Sequence, residues 1–239
     1  GTVYLQQSQQ DSAKVFFQKG LTAKEGANFN YIGLGQIDLN AGNTAAAEFN
    51  FEQALNGIKK KDIEPFIYIG KAYTNAEIPN YKKAIFYIEK AKFINPNDAQ
   101  MQMALGDAYY FDKNQNDAYK AYSNAFDADP TLIRAKMQLG VLLKGAKAFP
   151  EAKTAFDGVV ATNPSFGPVY RELAETYFQW GINDKTKYKE YMSKSLEYYE
   201  KYMSLTDYSL ASRFRHAEFL IIAKDDVALE KEANEMKKL

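Results

Sequence analysis

The sequence predicts an all-α fold of stacked helix–turn–helix units, and three observations carry that prediction. First, Pro96, Pro130 and Pro164 stand 34 residues apart and 34 again, in the phrases Asn95-Pro96-Asn97, Asp129-Pro130-Thr131 and Asn163-Pro164-Ser165. Second, Gly35, Gly70, Gly106 and Gly140 recur with nearly the same period, and Ala174 takes the slot 34 residues after the last of them. Third, Ala13, Ala47, Ala84, Ala118 and Ala152 form a small-residue column. Each is followed four residues later by a large apolar residue: Phe17, Phe51, Ile88, Tyr122 and Phe156. Three further on stand Gly20, Ala54, Ala91, Ala125 and Val159. Two helices approach closely only where side chains are small, so the small columns mark backbone contact and the large residues fill the space beside it.

The pattern resembles the tetratricopeptide repeat (TPR), a 34-residue helix–turn–helix unit with a Leu-Gly…Tyr…Ala…Phe…Ala…Pro signature. Residues 99–132 match best, with Leu105, Gly106, Tyr109, Ala118, Tyr122, Ala125 and Pro130 in register. The resemblance covers nearly the whole chain and extends to arrays in long bacterial TPR proteins. It implies a right-handed α-solenoid of about five to six full repeats with partial terminal ones, about thirteen helices in all.

The elements follow in order. Residues 1–27 are a partial repeat supplying mainly a second helix, about 11–24. Full repeats follow at 28–62, 63–98, 99–132 and 133–166. The unit 167–207 departs from the pattern: Tyr199 fills the large-residue slot about nine residues late. That places an insertion around Gly181–Tyr191 and a long second helix over about 185–205. The last unit is 208–239. Pro65, Pro79, Pro96, Pro130, Pro150, Pro164 and Pro168 all fall at helix starts or turns. None interrupts a helix, where proline costs ~3 kcal/mol. No linker, low-complexity tract or charge block divides the chain, so a single repeat array over 1–239 is expected. The chain begins within one repeat and stops within another, which reads as a piece of a longer array with weak end-to-end self-association.

Composition excludes more than it suggests. Of 239 residues, 46% are apolar and 25% charged, enough for a packed core. Thirty Lys and Arg balance thirty Asp and Glu, so the chain as a whole has no footprint for nucleic acid or an anionic membrane. With no Cys and one His, disulfides, thiol catalysis and multi-His metal sites are excluded, and no metal or organic cofactor is expected. The apolar run Phe219–Ala223 is far short of the ~20 residues that span a bilayer, so no membrane insertion is expected. Gly1-Thr2-Val3-Tyr4 has no signal-peptide character. The lack of an initiator Met leaves room for an export signal upstream.

Single residues have bland readings first. His216 has no His or Cys companion and reads as packed. Trp180, beside the insertion, reads as packing it, with a partner hot spot as the alternative. Tyr188, Tyr191, Tyr198 and Tyr202 share one helical face and read as packing, with an aromatic binding platform as the alternative. Lys59-Lys60-Lys61 reads as closing a second helix, where cations complement the dipole. Gly33-Leu34-Gly35 lacks the strand and third glycine of a phosphate loop. Glu172 and Glu175 without a cleft do not make a glycosidase.

The resemblance implies a partner site on the inner face, lined by first helices. Slot by slot, it places there Gln36, Leu39 and Asn40; Ile67, Lys71 and Asn75; Met103, Asp107, Tyr110 and Phe111; Arg134, Met137, Val141 and Lys144; Arg171, Glu175, Phe178 and Gln179; and Phe214 and Glu218. Lys71 and Asn75 are four apart, as in one limb of the clamp that some TPR proteins close on a chaperone's C-terminal carboxylate. The flanking repeats lack the rest, so that role is disfavoured. The mixed, partly aromatic lining suits a peptide or protein segment. The expected function is a non-catalytic protein-interaction scaffold; the alternative is a regulatory or sensor segment of a larger multidomain protein.

Overall fold

The computed structural model describes residues 1–22, 26–206 and 208–238. The helices group into two units, Gly1–Thr131 and Leu132–Leu239. Among the described residues there are fourteen α-helices, one 3-10 turn and no strand.

The first unit holds α1 (Thr2–Gln6), α2 (Gln10–Gly20), α3 (Ala27–Asn40), α4 (Thr44–Leu55), α5 (Glu64–Thr74), α6 (Tyr81–Ile94), α7 (Ala99–Phe111) and α8 (Gln115–Ala128). Odd-numbered helices are first helices and even-numbered ones second helices. α1 adds to the second helix that the sequence led one to expect as the main element of the partial repeat. Gly1 lies 34 residues before Gly35, so residues 2–6 complete the first helix of that repeat. The expected end of α2 near residue 24 lies outside the described residues.

The glycine column works as close packing requires. A Cβ at Gly1, Gly35, Gly70, Gly106 or Gly140 would run into Phe17, Phe51, Ile88, Tyr122 or Phe156, the large residue of the same repeat. Ala47, Ala84, Ala118 and Ala152 have no exposed surface, nor do Phe51, Ile88, Tyr122 and Phe156.

The turn between helices is also repeated. Ser8, Gly42, Lys113 and Lys147 have φ of 58°, 76°, 63° and 60°, and each stands seven residues after a slot glycine. The residue after each donates its N–H back to the fifth residue before it, as in Asn43 to Asp38 and Ala148 to Leu143. This left-handed cap satisfies carbonyls that the helix end leaves unpaired. Entry into first helices has its own device. The Gln102 side-chain amide donates to the Pro96 carbonyl at 2.7 Å and the Tyr170 hydroxyl to the Pro164 carbonyl at 2.8 Å.

The second unit holds α9 (Ile133–Gly145), α10 (Phe149–Thr162), α11 (Gly167–Asn183), a 3-10 turn (Lys185–Lys187), α12 (Tyr188–Leu205), α13 (Leu210–Ala223) and α14 (Asp226–Met236). The insertion lengthens both helices of one pair: α11 has 17 residues and α12 has 18, against 13 and 14 in α9 and α10. The extra turns are held by rings. Trp180 stacks on Tyr191 at 4.6 Å and on Phe149 at 5.9 Å. Tyr177 lies 5.5 Å from Tyr198 and 5.8 Å from Tyr191. Trp180 and the tyrosine face of α12 therefore pack this joint.

One sequence reading fails here. α4 ends at Leu55, so Lys59, Lys60 and Lys61 do not close a helix. They lie exposed in the turn that leads to α5, beyond the reach of the α4 dipole.

Candidate functional site

The inner face of the first unit carries a cavity of about 710 Å³ between α1, α2, α3 and α5. Its apolar floor comes from Leu5, Phe17, Phe29, Ile32 and Ala72, and its polar rim includes Gln36, Asn40, Glu64, Lys71 and Asn75. Four residues named from the sequence, Gln36, Asn40, Lys71 and Asn75, thus meet around one opening. Asn40 and Asn75 follow from helix ends: each closes a first helix, and the Asn40 side-chain oxygen accepts the Glu77 backbone N–H at 3.1 Å. That bond ties the end of α3 to the turn after α5.

Sequence reasoning missed Tyr68 and Phe29. Tyr68 is 48% exposed, meets the Phe29 ring edge-on at 5.4 Å, and has the Lys71 ammonium 5.5 Å above its ring. The signal was present: Glu64, Tyr68, Lys71 and Asn75 stand at intervals of four, three and four, one helical face. Ile67 was placed on that face instead, and it is buried in the core with Ile69 and Tyr73. Leu39 and Met103 are likewise core residues, 8% and 3% exposed.

Asp107, Tyr110 and Phe111 of α7 do not line this cavity. Asp107 accepts the Tyr122 hydroxyl at 2.8 Å. Phe111 stacks on Tyr81 at 5.8 Å and meets Tyr110 edge-on at 5.4 Å.

First helices of the second unit present a different surface, one that neutralises itself. Lys144 on α9 reaches Glu172 on α11 at 2.6 Å, with both side chains largely buried. Arg171 approaches the other oxygen of Glu172 at 3.4 Å. Glu175 receives two bonds from the Arg215 guanidinium, at 2.8 and 2.9 Å, and Arg215 also reaches Glu218 at 2.5 Å. Burial opposes the charge on Arg215, but its bonds to Glu218 and Glu175 outweigh burial and raise its pKa. The guanidinium also lies 5.5 Å from the Phe178 ring, which packs on Phe219 at 5.0 Å. Arg215, the centre of this network, was not among the residues named from sequence. Arg134 and Phe214 are exposed.

His216 is packed, as its isolation implied. Its Nδ1 lies 3.2 Å from Glu232, its ring stacks on Tyr199, and Arg213 holds the other oxygen of Glu232 at 3.0 Å. A cavity of about 460 Å³ at α11 and α12 is lined by Tyr170, Tyr198, Glu197, Glu200, Lys201 and Ser204. Among the described residues no group of three or more His, Cys, Asp or Glu side chains could hold a metal ion, and no helix is long and apolar enough to cross a membrane.

No protein-family model matches the chain. The Protein CTR9 homolog of Arabidopsis thaliana is 35% identical over 79 residues, 33% of this chain and 7% of the relative. The peroxisomal targeting signal receptor of Saccharomyces cerevisiae is 29% identical over 120 residues, 50% of this chain and 19% of the relative. The chain therefore spans less than a fifth of either curated relative's length. Among solved structures, PilW, described as a widely conserved type IV pilus biogenesis factor, superposes with a TM-score of 0.71 at 17% identity, covering 90% of this chain and 94% of PilW. PilF of Pseudomonas aeruginosa gives 0.65 at 20% identity over 89% and 91% of the two chains. A TPR protein of Thermus thermophilus gives 0.59 at 18% identity over 81% and 99%. The 34-residue period, the glycine slots filled by the large residue of the same repeat, and these neighbours agree: the chain has the tetratricopeptide-repeat fold.

Proposed function

We propose that the chain is a protein-interaction scaffold and that the inner cavity of the first unit takes an extended segment of a partner protein. The observation that carries this reading is the cavity's lining: side-chain amides of Gln36, Asn40 and Asn75 around an apolar floor edged by Phe29 and Tyr68. An extended peptide presents unpaired N–H and C=O groups along both edges. Carboxamides both donate and accept, so they serve such a backbone without demanding a charge, while the aromatic floor takes an apolar side chain. The second unit's first helices support the choice by contrast, since their charges already bond one another. A targeting-signal receptor among the curated relatives is in keeping with a peptide-reading role. The unbroken interval from Gly106 to Gly140 supports taking both units as parts of one array.

The test is site-specific photocrosslinking in extracts of the native organism. A photoreactive phenylalanine analogue at Tyr68 should capture a partner, and Gln36→Ala/Asn75→Ala should abolish the product. The same analogue at Phe49, on a second helix, should not capture it. Capture at Phe49 but not at Tyr68 would move the site off the inner face.

A further inference from the structure

One sequence motif is left without a role. Lys59, Lys60 and Lys61 lie exposed in the turn between α4 and α5, and no helix end accounts for them. α6 follows α5 through a short turn and packs against it, so the two run antiparallel. The C-terminal end of α6 and the lysine turn therefore share one edge of the first unit.

The outward face of α6 exposes aromatic rings and lysines together. Its exposed residues are Lys82, Phe86, Lys90 and Phe93, at intervals of four, four and three, with no acid among them. Phe86 is 56% and Phe93 92% exposed. The Lys90 ammonium sits 4.4 Å over the Phe86 ring. The other two lysines of α6 are engaged: Lys83 pairs with Glu48 and Lys92 with Glu89. Core packing does not require Phe86. It stands two residues after the buried Ala84, and the equivalent slots after Ala13, Ala47, Ala118 and Ala152 hold the exposed Val15 and Phe49, then Lys120 and Thr154.

Acids are present at this edge but fewer than the lysines: Glu52 on α4 is exposed and near Tyr87, and Glu89 of α6 is paired with Lys92. Asp62 accepts the Glu64 backbone N–H, Asp98 accepts the Met101 backbone N–H, and Glu64 lines the inner cavity. Five lysines and two phenylalanines remain on the outer side. Zero net charge for the whole chain averages over this segregation.

We propose that the α6 face and the lysine turn form a peripheral docking surface for an anionic lipid bilayer. A stripe of alternating lysine and phenylalanine is the pattern of a helix lying in a membrane interface. The rings enter the headgroup–acyl boundary, and the lysine stems run along them while their ammonium groups stay at the phosphates. A patch in which lysines outnumber acids complements an anionic leaflet, and each lysine near the surface adds attraction that salt weakens. This surface lies on a second helix and is independent of the inner cavity.

Vesicle flotation tests it, with phosphatidylcholine vesicles and phosphatidylcholine–phosphatidylserine vesicles. The chain should float with the phosphatidylserine vesicles at low salt, should not float with phosphatidylcholine alone, and should be released as salt rises. Lys59→Ser/Lys60→Ser/Lys61→Ser should weaken partition at least roughly tenfold. Phe93→Ser should weaken partition at low salt, and this residue is so exposed that the fold does not depend on it. Phe86→Ser with an unchanged melting curve gives a second apolar arm. Failure of the wild-type chain to float with anionic vesicles overturns the proposal, as it would if the stripe served an acidic protein instead. Wild-type partition by the lysine or Phe93 variant also overturns it.

Discussion

The Tyr122 ring occupies the space that a side chain on Gly106 would need: a Cβ built there would lie 2.5 Å from both Cδ1 and Cε1 of the ring. Tyr122 cannot yield easily, because it is fully buried and its hydroxyl is bonded to Asp107. Gly106→Leu is therefore expected to destabilise the chain by ~1–3 kcal/mol through overpacking. Urea denaturation followed by circular dichroism measures it. A variant as stable as wild type would mean that the first and second helices of this repeat are not in backbone contact.

A second prediction concerns Lys144 and Glu172, which meet across α9 and α11 with little exposure. Removing Lys144 leaves the buried Glu172 with only the longer 3.4 Å contact of the half-exposed Arg171. The cost therefore falls below the roughly 3–5 kcal/mol of a wholly unpaired buried charge but stays well above that of a surface pair. Lys144→Met alone should show that loss. Lys144→Met together with Glu172→Leu should recover most of it, since an apolar pair of similar volume needs no solvation. If the double variant is no better than the single one, the pair is not isolated from water as the structure has it.

The repeat columns were legible because close packing leaves few choices: opposite Phe51 or Phe156 only glycine fits. The insertion was legible for the same reason, since Tyr199 could be seen to arrive late. Inner-face residues were harder to read. Ile67 and Tyr68 are neighbours about 100° apart on α5, and the slot carried over from the repeat pattern pointed to the buried one. The ion pairs were not legible either. Lys144 and Glu172 stand 28 residues apart and Glu175 and Arg215 stand 40 apart, and only folded geometry shows which long side chain reaches which carboxylate. The lysine turn was misread although Asn56-Gly57 stands directly after Leu55 and Gly57 has a φ of 75°; that stop signal was given less weight than the 34-residue period.

Alkaline pH should unfold the chain over a defined window. Burial raises Tyr73, Tyr109, Tyr177 and Tyr199 from the usual 10.0 to about 12, with Tyr87, Glu89, Tyr198 and Tyr202, respectively, adding to the shift. The folded state thus holds these phenolic protons more tightly than the unfolded one. Their contribution is fully present below pH ~10 and is lost as pH rises toward about 12. Absorbance titration of tyrosinate alongside circular dichroism should show part of the tyrosine population ionising late and together with loss of helix. Ionisation of all eighteen tyrosines near the ordinary value, with helix intact, would contradict the burial assigned to these four.

The most direct measurement of the central claim is partner recovery by the wild-type chain and by Gln36→Ala/Tyr68→Ala/Asn75→Ala. All three positions line the inner cavity of the first unit and none is in the core, so the melting temperature should hardly change. Quantitative affinity capture from the native organism should then show at least a roughly tenfold loss of specific partners, as removal of an aromatic anchor and two amides from one contact surface implies. Equal recovery by a variant that melts like wild type would place the partner elsewhere and contradict the assignment of the inner groove.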